Sequence, residues 1–310
     1  MKTIYYFFFV LFIAFLSGSC QNNQKAIVEK KFRIDNPTAN TISLQIDNST
    51  YQLPANSGKD VMLKYGSHTL TYNNQSVKFV AIPCDEDVIL NPTLSNYVFY
   101  YELFKIRGKE INMKEVNRMA PAYLFPFTLA SGEVVKVPFK LVNSLFIERY
   151  EYNWNLGLGE QLRNGLTVAG ITTEMTTVIR SKIFREKEFF TYMGSDYFPE
   201  NFSFPKNTAT LNNLPALKLY DGLSCDCEPA QKIVSLKQRQ FDSLKTATDP
   251  AEVKKIYDRI RTGIYKEITP KLDQACSPRY NKNLKNNYDS ISVKLLQAEG
   301  LKEKNAFVYK

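Results

Sequence analysis

This sequence has a single histidine, His68, which limits the kinds of catalytic and metal sites that the protein can form. A Ser-His-Asp triad and a histidine-based metal centre both need imidazole groups, so one histidine leaves little room for either. No Gly-rich phosphate loop precedes a predicted helix, and no Gly-x-Ser-x-Gly elbow is present. His68 follows Gly66 in a predicted hairpin, where we expect it to satisfy a turn. From motifs alone we therefore predict no catalytic residue, no metal ligand and no cofactor.

Carboxylates are the remaining groups with a capacity for acid–base chemistry. An acidic run, Asp85-Glu86-Asp87, follows Cys84, and three further acidic residues surround a cysteine pair: Asp221, Asp226 and Glu228. Two carboxylates on facing loops could act as general acid and base on a glycosidic bond. Their oxygens could alternatively hold calcium, although the spacing matches no EF-hand loop. We favour solvated loop charge, because unpaired acidic side chains usually stay exposed.

Four cysteines are candidates for disulfides in an oxidising compartment: Cys84, Cys225, Cys227 and Cys276. Four thiols allow three pairings. Zinc is the competing idea for Cys225-x-Cys227, but a zinc site usually needs a second such pair or added histidines. Cys225 and Cys227 precede one predicted helix and Cys276 follows the next, so an antiparallel helix pair would bring them together. We therefore expect Cys276 to pair with Cys225 or Cys227, as a structural staple rather than a redox centre.

The first twenty residues have the order of an export signal. Met1-Lys2-Thr3 is short and positive, and residues 4–16 are an unbroken apolar run, too short to span a bilayer. Ser17-Gly18-Ser19 then precedes Cys20, whose thiol could accept a diacylglycerol. These residues resemble the lipobox of bacterial lipoproteins in the looser form of the Bacteroidota. Leu16 stands one place further from the cysteine than in the strict pattern, and an ordinary signal peptide with a nearby cysteine is the alternative.

The resemblance implies a cleaved signal peptide at residues 1–19, a lipid on Cys20 and a polar tether over residues 20–25. In such lipoproteins an Asp directly after the lipidated cysteine tends to keep the protein in the inner membrane, and here Gln21 stands at that place. The acidic run that often accompanies surface export in Bacteroidota is also missing. We therefore expect a protein of the bacterial outer membrane, anchored by its lipid and facing the periplasm.

The formal net charge of +9 favours anionic surfaces such as phospholipid head groups or lipopolysaccharide. The basic residues are spread evenly rather than clustered, which argues against nucleic acid as a partner. The expected partners are the membrane, through the lipid anchor, and either another envelope protein or an anionic lipid. Hydrophobic residues at 44% and aromatic residues at 13% provide enough material for packed cores.

Residues 26–106 have the pattern of a β-sandwich-like domain. Apolar and polar residues alternate over 42–46, as in half-buried strands, and turn residues recur at roughly 8–12-residue intervals. Over residues 41–80, the order of strands around the Gly66-x-His68 turn resembles the small PEGA-type β-domains of bacterial envelope proteins. An aromatic run follows over 97–106, and we expect a buried strand there rather than an exposed strip.

Residues 107–200 are predicted to be a mixed β and α region. Ser131-Gly132 favours a hairpin turn. From about residue 172, apolar residues recur at helical spacing, so we predict a helix that continues to Met193. Its basic residues would form a solvated face, or would rest against anionic head groups below the lipid anchor. These residues are Arg180, Lys182, Arg185 and Lys187.

Residues 201–310 are predicted to be a helical region. A long loop over 194–224 contains three prolines, after which Pro229 opens one helix and Asp249-Pro250 starts another. A further helix over 284–298 ends at Gly300. The whole chain is thus predicted to have an α+β fold: a β-sandwich-like N-terminal domain, a β-rich middle region and a disulfide-stapled helical C-terminal region.

The function that these features favour is a non-catalytic binding or structural module, tethered to the envelope by its lipid. Two alternatives stay open: a carboxylate-dependent hydrolase of an envelope polymer, and a protein that handles lipid or lipopolysaccharide. A deep pocket with two facing carboxylates would favour the hydrolase. An apolar tunnel between sheet and helices would favour lipid handling, and a flat surface would favour the tethered module.

Overall fold

The computed structural model describes residues 27–105, 110, 112–129, 131–161, 177–194, 197–198, 202–280, 282–297, 301 and 303–310. The predicted signal peptide, Cys20 and the tether lie outside these residues. Fourteen strands and seven α-helices occur in the described part, which confirms the α+β prediction. In the same ranges, no helix is both long enough and apolar enough to cross a membrane.

Two sheets face each other in the N-terminal part of the fold. The strands that come first along the chain are β1 (Glu29–Asn36), β2 (Ile42–Ile46), β3 (Ser49–Leu53), β4 (Ser57–Lys64), β5 (Gly66–Tyr72), β6 (Gln75–Ala81) and β7 (Val88–Leu90). The first sheet has the order β12-β7-β1-β4 and the second β14-β6-β5-β2-β3, with β12 at Phe146–Glu148 and β14 at Ala306–Tyr309. Phe79 of the second sheet packs on Phe146 of the first, with ring centroids 5.2 Å apart. The apolar core therefore lies between the two sheets.

The alternation of buried and exposed residues, together with the residues at the turns, explains why these segments form strands. β2 buries Ile42, Leu44 and Ile46 and exposes the two residues between them, as predicted. Asn73 and Asn74 join β5 to β6 with positive φ angles of 50° and 59°. A two-residue hairpin needs such angles, and asparagine adopts them at low cost. The turn therefore sets the register of the hairpin that β5 and β6 form.

The middle of the chain forms a three-stranded antiparallel sheet with the order β11-β8-β13. Its strands are β8 (Tyr97–Lys105), β11 (Phe139–Val142) and β13 (Thr177–Arg185). Between β8 and β11 lie helix α1 (Met113–Met119), a 3₁₀ turn (Ala120–Tyr123) and the strands β9 (Phe125–Thr128) and β10 (Val134–Val137). β9 and β10 pair antiparallel on either side of Ser131-Gly132, which confirms the predicted hairpin. The aromatic run is buried at Tyr97 and Phe99, whereas Leu103 is 40% exposed.

The helix predicted from about residue 172 to Met193 is wrong over Thr177–Arg185, where the chain forms β13. β13 pairs with β8 along its whole length, from Thr177 opposite Lys105 to Arg185 opposite Tyr97. This pairing overrides the helical spacing, and β-branched residues in the segment suit a strand. Two short helices, α2 (Arg149–Tyr152) and α3 (Glu186–Met193), precede and follow β13. The predicted solvated helix face is therefore absent over the length of β13.

Four helices follow in the C-terminal part: α4 (Glu228–Thr246), α5 (Pro250–Glu267), α6 (Pro270–Cys276) and α7 (Tyr288–Gln297). Proline stands in the first turn of α4, α5 and α6, at Pro229, Pro250 and Pro270. Proline suits this position because its missing N–H would have no helical partner there. The helices predicted from Pro229 and Pro250 are thus confirmed. At Pro270 the sequence is compatible with either a kink in α5 or its end, and the structure has a separate helix, α6, that begins there.

A disulfide joins two of these helices to each other, and the strand β14 connects the helical part to the sandwich. Cys227 and Cys276 form the disulfide, with their Cα atoms 5.7 Å apart, which confirms the predicted staple. β14 then pairs with β6, at the edge of the second sheet. Phe307 of β14 stacks on Phe241 of α4, with ring centroids 5.2 Å apart. The end of the chain is thus packed between the sandwich and the helices.

Candidate functional site

A cleft of about 700 Å³ lies where β13 meets α3, beside the segment 157–161 and the turn at Asn56. We call it the main cleft. Many of its side chains stand on a strand and a helix, so their positions are set by regular structure. The wall combines basic, acidic and aromatic side chains, including Lys182, Arg185, Lys187, Glu160, Glu188, Phe184 and Tyr192. Such a wall can hold a polar ligand by charge-assisted hydrogen bonds.

Lys182 is the most buried charged group of the main cleft, with 2% of its surface exposed. Its Nζ forms an ion pair with Glu188 Oε1 at 3.0 Å and donates to the carbonyl oxygen of Gly157 at 3.1 Å. The ammonium also lies 4.4 Å from the centre of the Phe184 ring. Burial lowers the pKa of Lys182, and the negative charge of Glu188 opposes this effect. Lys182 therefore connects β13, α3 and the segment 157–161.

Arg185 ends β13 and links the main cleft to the sandwich. Its Nε and Nη2 donate to the two carboxylate oxygens of Asp35 at 2.9 and 2.6 Å. Asp35 is completely buried in β1, and the Tyr97 hydroxyl donates to it at 2.8 Å. Burial alone would lower the pKa of Arg185, but the hydrogen bonds and charge of Asp35 outweigh it and raise that pKa. Arg185 is thus a fixed positive group in the wall of the main cleft.

A second hollow of about 240 Å³, which we call the side hollow, shares Glu160 with the main cleft. Besides Glu160, its wall includes Trp154, two basic residues and two acidic ones: Lys31, Arg33, Asp60 and Asp87. Arg33 Nη1 donates to Asp60 Oδ1 at 3.1 Å, and Arg149 Nη1 donates to Asp87 Oδ2 at 2.9 Å. The aspartates of the side hollow are therefore bound by arginines.

Two charged groups of the main cleft form no ion pair with a residue that the structure describes, although the negative charge of Glu160 contributes, with that of Glu188, to opposing the lowered pKa of Lys182. Lys187 is exposed in the first turn of α3 and forms no ion pair with a described residue. Glu160 Oε2 accepts the backbone N–H of Gly157 at 2.7 Å, and its carboxylate meets no described cation within ion-pair distance. The main cleft therefore offers one cation and one anion to a ligand.

The sequence-predicted residues are distributed unevenly around this site. Lys182, Arg185 and Lys187 all line the main cleft, whereas Arg180 is buried on β13, near Glu102. Of the acidic run 85–87, Asp87 reaches the side hollow. The backbone oxygens of Cys84 and Glu86 accept hydrogen bonds from Lys30 Nζ, so that loop also has a structural role.

The acidic residues around the cysteine pair do not reach either cavity wall as the structure describes it. Glu228 forms an exposed ion pair with Lys232 at 2.9 Å, which is the solvated charge that the sequence favoured. The backbone N–H of Asp226 donates to Asn287 Oδ1 at 2.9 Å. His68 Nδ1 lies 2.7 Å from Asp47 Oδ2, and its Nε2 lies 2.7 Å from the carbonyl oxygen of Lys64. These contacts confirm its expected role at a turn.

Of the four cysteines that the structure describes, the two outside the disulfide, Cys84 and Cys225, are free thiols. Burial raises the pKa of both thiols, and nearby Lys30 partly offsets this effect at Cys84. A raised pKa keeps a thiol protonated and unreactive. Among the described residues, no group of three or more His, Cys, Asp or Glu side chains is placed to hold a metal ion.

Sequence analysis missed the residues that the fold brings to the site from distant segments. Trp154, Glu160 and Asp60 belong to no motif, and local patterns do not place them together. No local signal pointed to them: the single tryptophan, Trp154, is 4% exposed and packs mainly in the core.

No protein-family model matches the chain, and comparison with curated proteins and with solved structures finds no match. The function must therefore be inferred from the geometry and charge of the main cleft and the side hollow. Their walls include charged groups of both signs, some of them held by ion pairs. Preorganised charges of this kind favour recognition of a polar ligand.

Proposed function

We propose that this chain is a lipid-anchored protein of the bacterial outer membrane that acts as a non-catalytic binding module. In this proposal Cys20 carries the lipid and the main cleft is the ligand site. The observation that supports the binding site best is the main cleft itself, about 700 Å³ in volume and walled by charged side chains on β13 and α3. A cleft of this size falls within the range of small-ligand sites.

The partners of the carboxylates favour binding over catalysis. Glu188 pairs with Lys182 at 3.0 Å, Asp87 with Arg149 at 2.9 Å, and Asp60 with Arg33 at 3.1 Å. These three carboxylates are already bound by cations of the protein, so they are placed to join parts of the cavity walls by charge-assisted hydrogen bonds rather than to act on a substrate.

The order of residues 1–20 supports the anchor. The first described residue, Ile27, is 71% exposed, and β1 begins two residues later. Six residues lie between Cys20 and Ile27, and the seven residue-to-residue steps of an extended chain reach at most about 25 Å. In the proposed arrangement the folded part is therefore held close to the bilayer surface.

Acyl labelling tests the anchor. Cells that express the full chain are fed an alkyne-bearing palmitate, and the purified protein is assayed for label. We expect wild type and the matched variant Cys84→Ala to be labelled equally, whereas Cys20→Ala should lose at least nine-tenths of the label, roughly what removal of the only acceptor implies. Full labelling of Cys20→Ala would remove the lipid anchor and, with it, the proposed location.

A second candidate function, hydrolysis of an envelope polymer, is supported by one observation. The side hollow gathers Asp60, Asp87 and Glu160 near Trp154. Purified protein incubated with cell-wall polymer would release soluble fragments if this candidate is correct, and Asp87→Asn should then lose activity while Asp85→Asn keeps it. Absence of released fragments from the wild type would leave binding as the function.

A further inference from the structure

We propose that the main cleft binds a zwitterionic peptide, with the ligand ammonium at Glu160 and the ligand carboxylate at Lys187. This inference rests on the proposed function, which makes the main cleft the ligand site. It is carried by two exposed charges of opposite sign, Glu160 and Lys187, which line the main cleft and form no ion pair with a described residue. A single ligand that bears both signs can satisfy both groups.

The remaining charges of the main cleft are already satisfied by the protein. Lys182 is bound by Glu188, and Arg185 is bound by Asp35. A simple anion such as phosphate would bind the ammonium of Lys187. It would also lie in the same cavity as the carboxylate of Glu160, and like charges repel. A zwitterion avoids this conflict. The ring of Tyr192, which is 42% exposed, supplies apolar surface for the uncharged part of a peptide.

The bonds of Lys182 make the main cleft preorganised. Its ammonium binds Glu188 of α3 on one side and the carbonyl oxygen of Gly157 on the other. Glu160 stands three residues after Gly157 and accepts the Gly157 N–H. The segment that carries the proposed ammonium contact is therefore held against β13 before a ligand arrives, which lowers the entropy cost of binding.

A phospholipid with a zwitterionic head group carries the same two charges, and the position of the main cleft argues against it. β1 runs from Glu29, near the proposed anchor, to Asn36, and a strand of this length spans about 23 Å. The main cleft lies at the Asn36 end, because Asp35 holds Arg185 there and Asn56 lines the wall. A lipid-anchored chain thus presents this cleft to peptides away from its own bilayer, either free or attached to a wall polymer.

Calorimetric titration of the detergent-solubilised full chain tests the two charges. The probes are trialanine, N-acetyl-trialanine, which lacks the ammonium, and trialanine amide, which lacks the carboxylate. Each blocked peptide loses one hydrogen bond between charged groups, so we expect it to bind at least about tenfold more weakly than trialanine. Equal affinity for the blocked peptides and trialanine would overturn the proposal.

Two variants assign each charge to its residue. Lys187→Gln should abolish the preference for trialanine over its amide and keep the preference over the acetylated peptide. Glu160→Gln should do the reverse, and its amide oxygen can still accept the Gly157 N–H, so the segment stays in place. Lys218→Gln changes an exposed lysine that does not line the main cleft and should leave both preferences unchanged. Preferences unaffected in the first two variants would overturn the assignment.

Co-sedimentation of the protein with cell-wall polymer distinguishes a free peptide ligand from a peptide attached to the polymer. Binding of trialanine without sedimentation on cell-wall polymer supports a free peptide. Sedimentation that is lost when the peptide branches are removed enzymatically, and lost again in Lys187→Gln, supports a polymer-bound peptide. Binding to phosphatidylethanolamine vesicles that depends on Lys187 and Glu160 would overturn the proposal that the ligand is a peptide. If neither trialanine nor polymer binds while Cys20 is acylated, this inference fails and the anchor stands.

Discussion

Two buried charges of this fold, Asp35 and Lys182, are held by partners that belong to other elements. Asp35 is fully buried and binds Arg185, which lies 150 residues later. Lys182 is bound by Glu188 and by the carbonyl oxygen of Gly157. The loss of water around such ions costs several kcal/mol unless partners offset it. These pairings could not be predicted from the sequence, because nothing local at Asp35 indicates which cation it meets.

Asp35→Ala should destabilise the protein strongly. It leaves the half-buried guanidinium of Arg185 and the Tyr97 hydroxyl without their acceptor, and we expect the free energy of unfolding to fall by about 3–5 kcal/mol. Urea denaturation followed by the fluorescence of Trp154, the single tryptophan, measures this. Asp60→Ala is the control, since its exposed pair with Arg33 should contribute at most about 1 kcal/mol. Similar losses in the two variants would contradict the role of Asp35.

At the scale of elements, prediction succeeded where local signals determine the structure. The Ser131-Gly132 turn and the prolines that open α4 and α5 act within a few residues, so the sequence alone indicates them. It failed at β13, where apolar spacing suits a helix and only the pairing with β8, more than 70 residues earlier, makes a strand. That error also hid the site, because Lys182 and Arg185 then looked like solvated charges instead of the wall of a cleft.

The disulfide between Cys227 and Cys276 should stabilise the helical part. It closes a loop with a sequence separation of 49, and the chain-entropy model gives about 4 kcal/mol for such a loop. We expect Cys276→Ser to lower the free energy of unfolding by about this amount and to speed hydrogen exchange in α4 and α5. Cys84→Ser, which removes a free thiol, should change it by about 1 kcal/mol or less. Unchanged stability of Cys276→Ser in urea would mean that the bond does not act as a staple.

At the scale of the whole molecule, the site is assembled from segments that the sequence keeps far apart. The side hollow alone draws on β1, β4, β7 and the segment 154–160. The sequence predicted the α+β class and a disulfide from Cys276 to Cys225 or Cys227, but it placed the basic residues Lys182, Arg185 and Lys187 on a solvated helix face. It could not place Glu160 beside β13, because that contact depends on Lys182 binding the Gly157 carbonyl oxygen.

A second long-range contact joins the middle of the chain to its end. Glu148 ends β12 and is 2% exposed, and its carboxylate accepts hydrogen bonds from the backbone and side-chain N–H groups of Asn305. Asn305 immediately precedes β14. One buried carboxylate therefore ties the first sheet of the sandwich to the last strand of the second.

Glu148 should make stability depend on pH. Burial raises the pKa of Glu148 above its ordinary value of 4.5, although the Asn305 hydrogen bonds act in the other direction. The folded chain then binds this proton more tightly than the unfolded chain, so the contribution of Glu148 to stability falls as pH rises from about 4.5 through the folded pKa. Glu148→Gln should lack this fall, and its free energy of unfolding relative to wild type should improve between about pH 4 and pH 7. Urea denaturation across that range measures it; a difference that stays constant with pH would contradict the raised pKa.

The last strand of the chain completes the sheet that the second strand starts, since β14 pairs with β6 more than 220 residues after β6 ends. A chain that emerges from its N-terminus cannot close this edge until β14 has been synthesised. Meanwhile the N–H and C=O groups of β6 remain open to pairing with other chains, and long-range closure is slower than hairpin formation. The nascent protein is thus expected to need shielding from aggregation until β14 emerges, and a chain cut before β14 would keep that unpaired edge permanently.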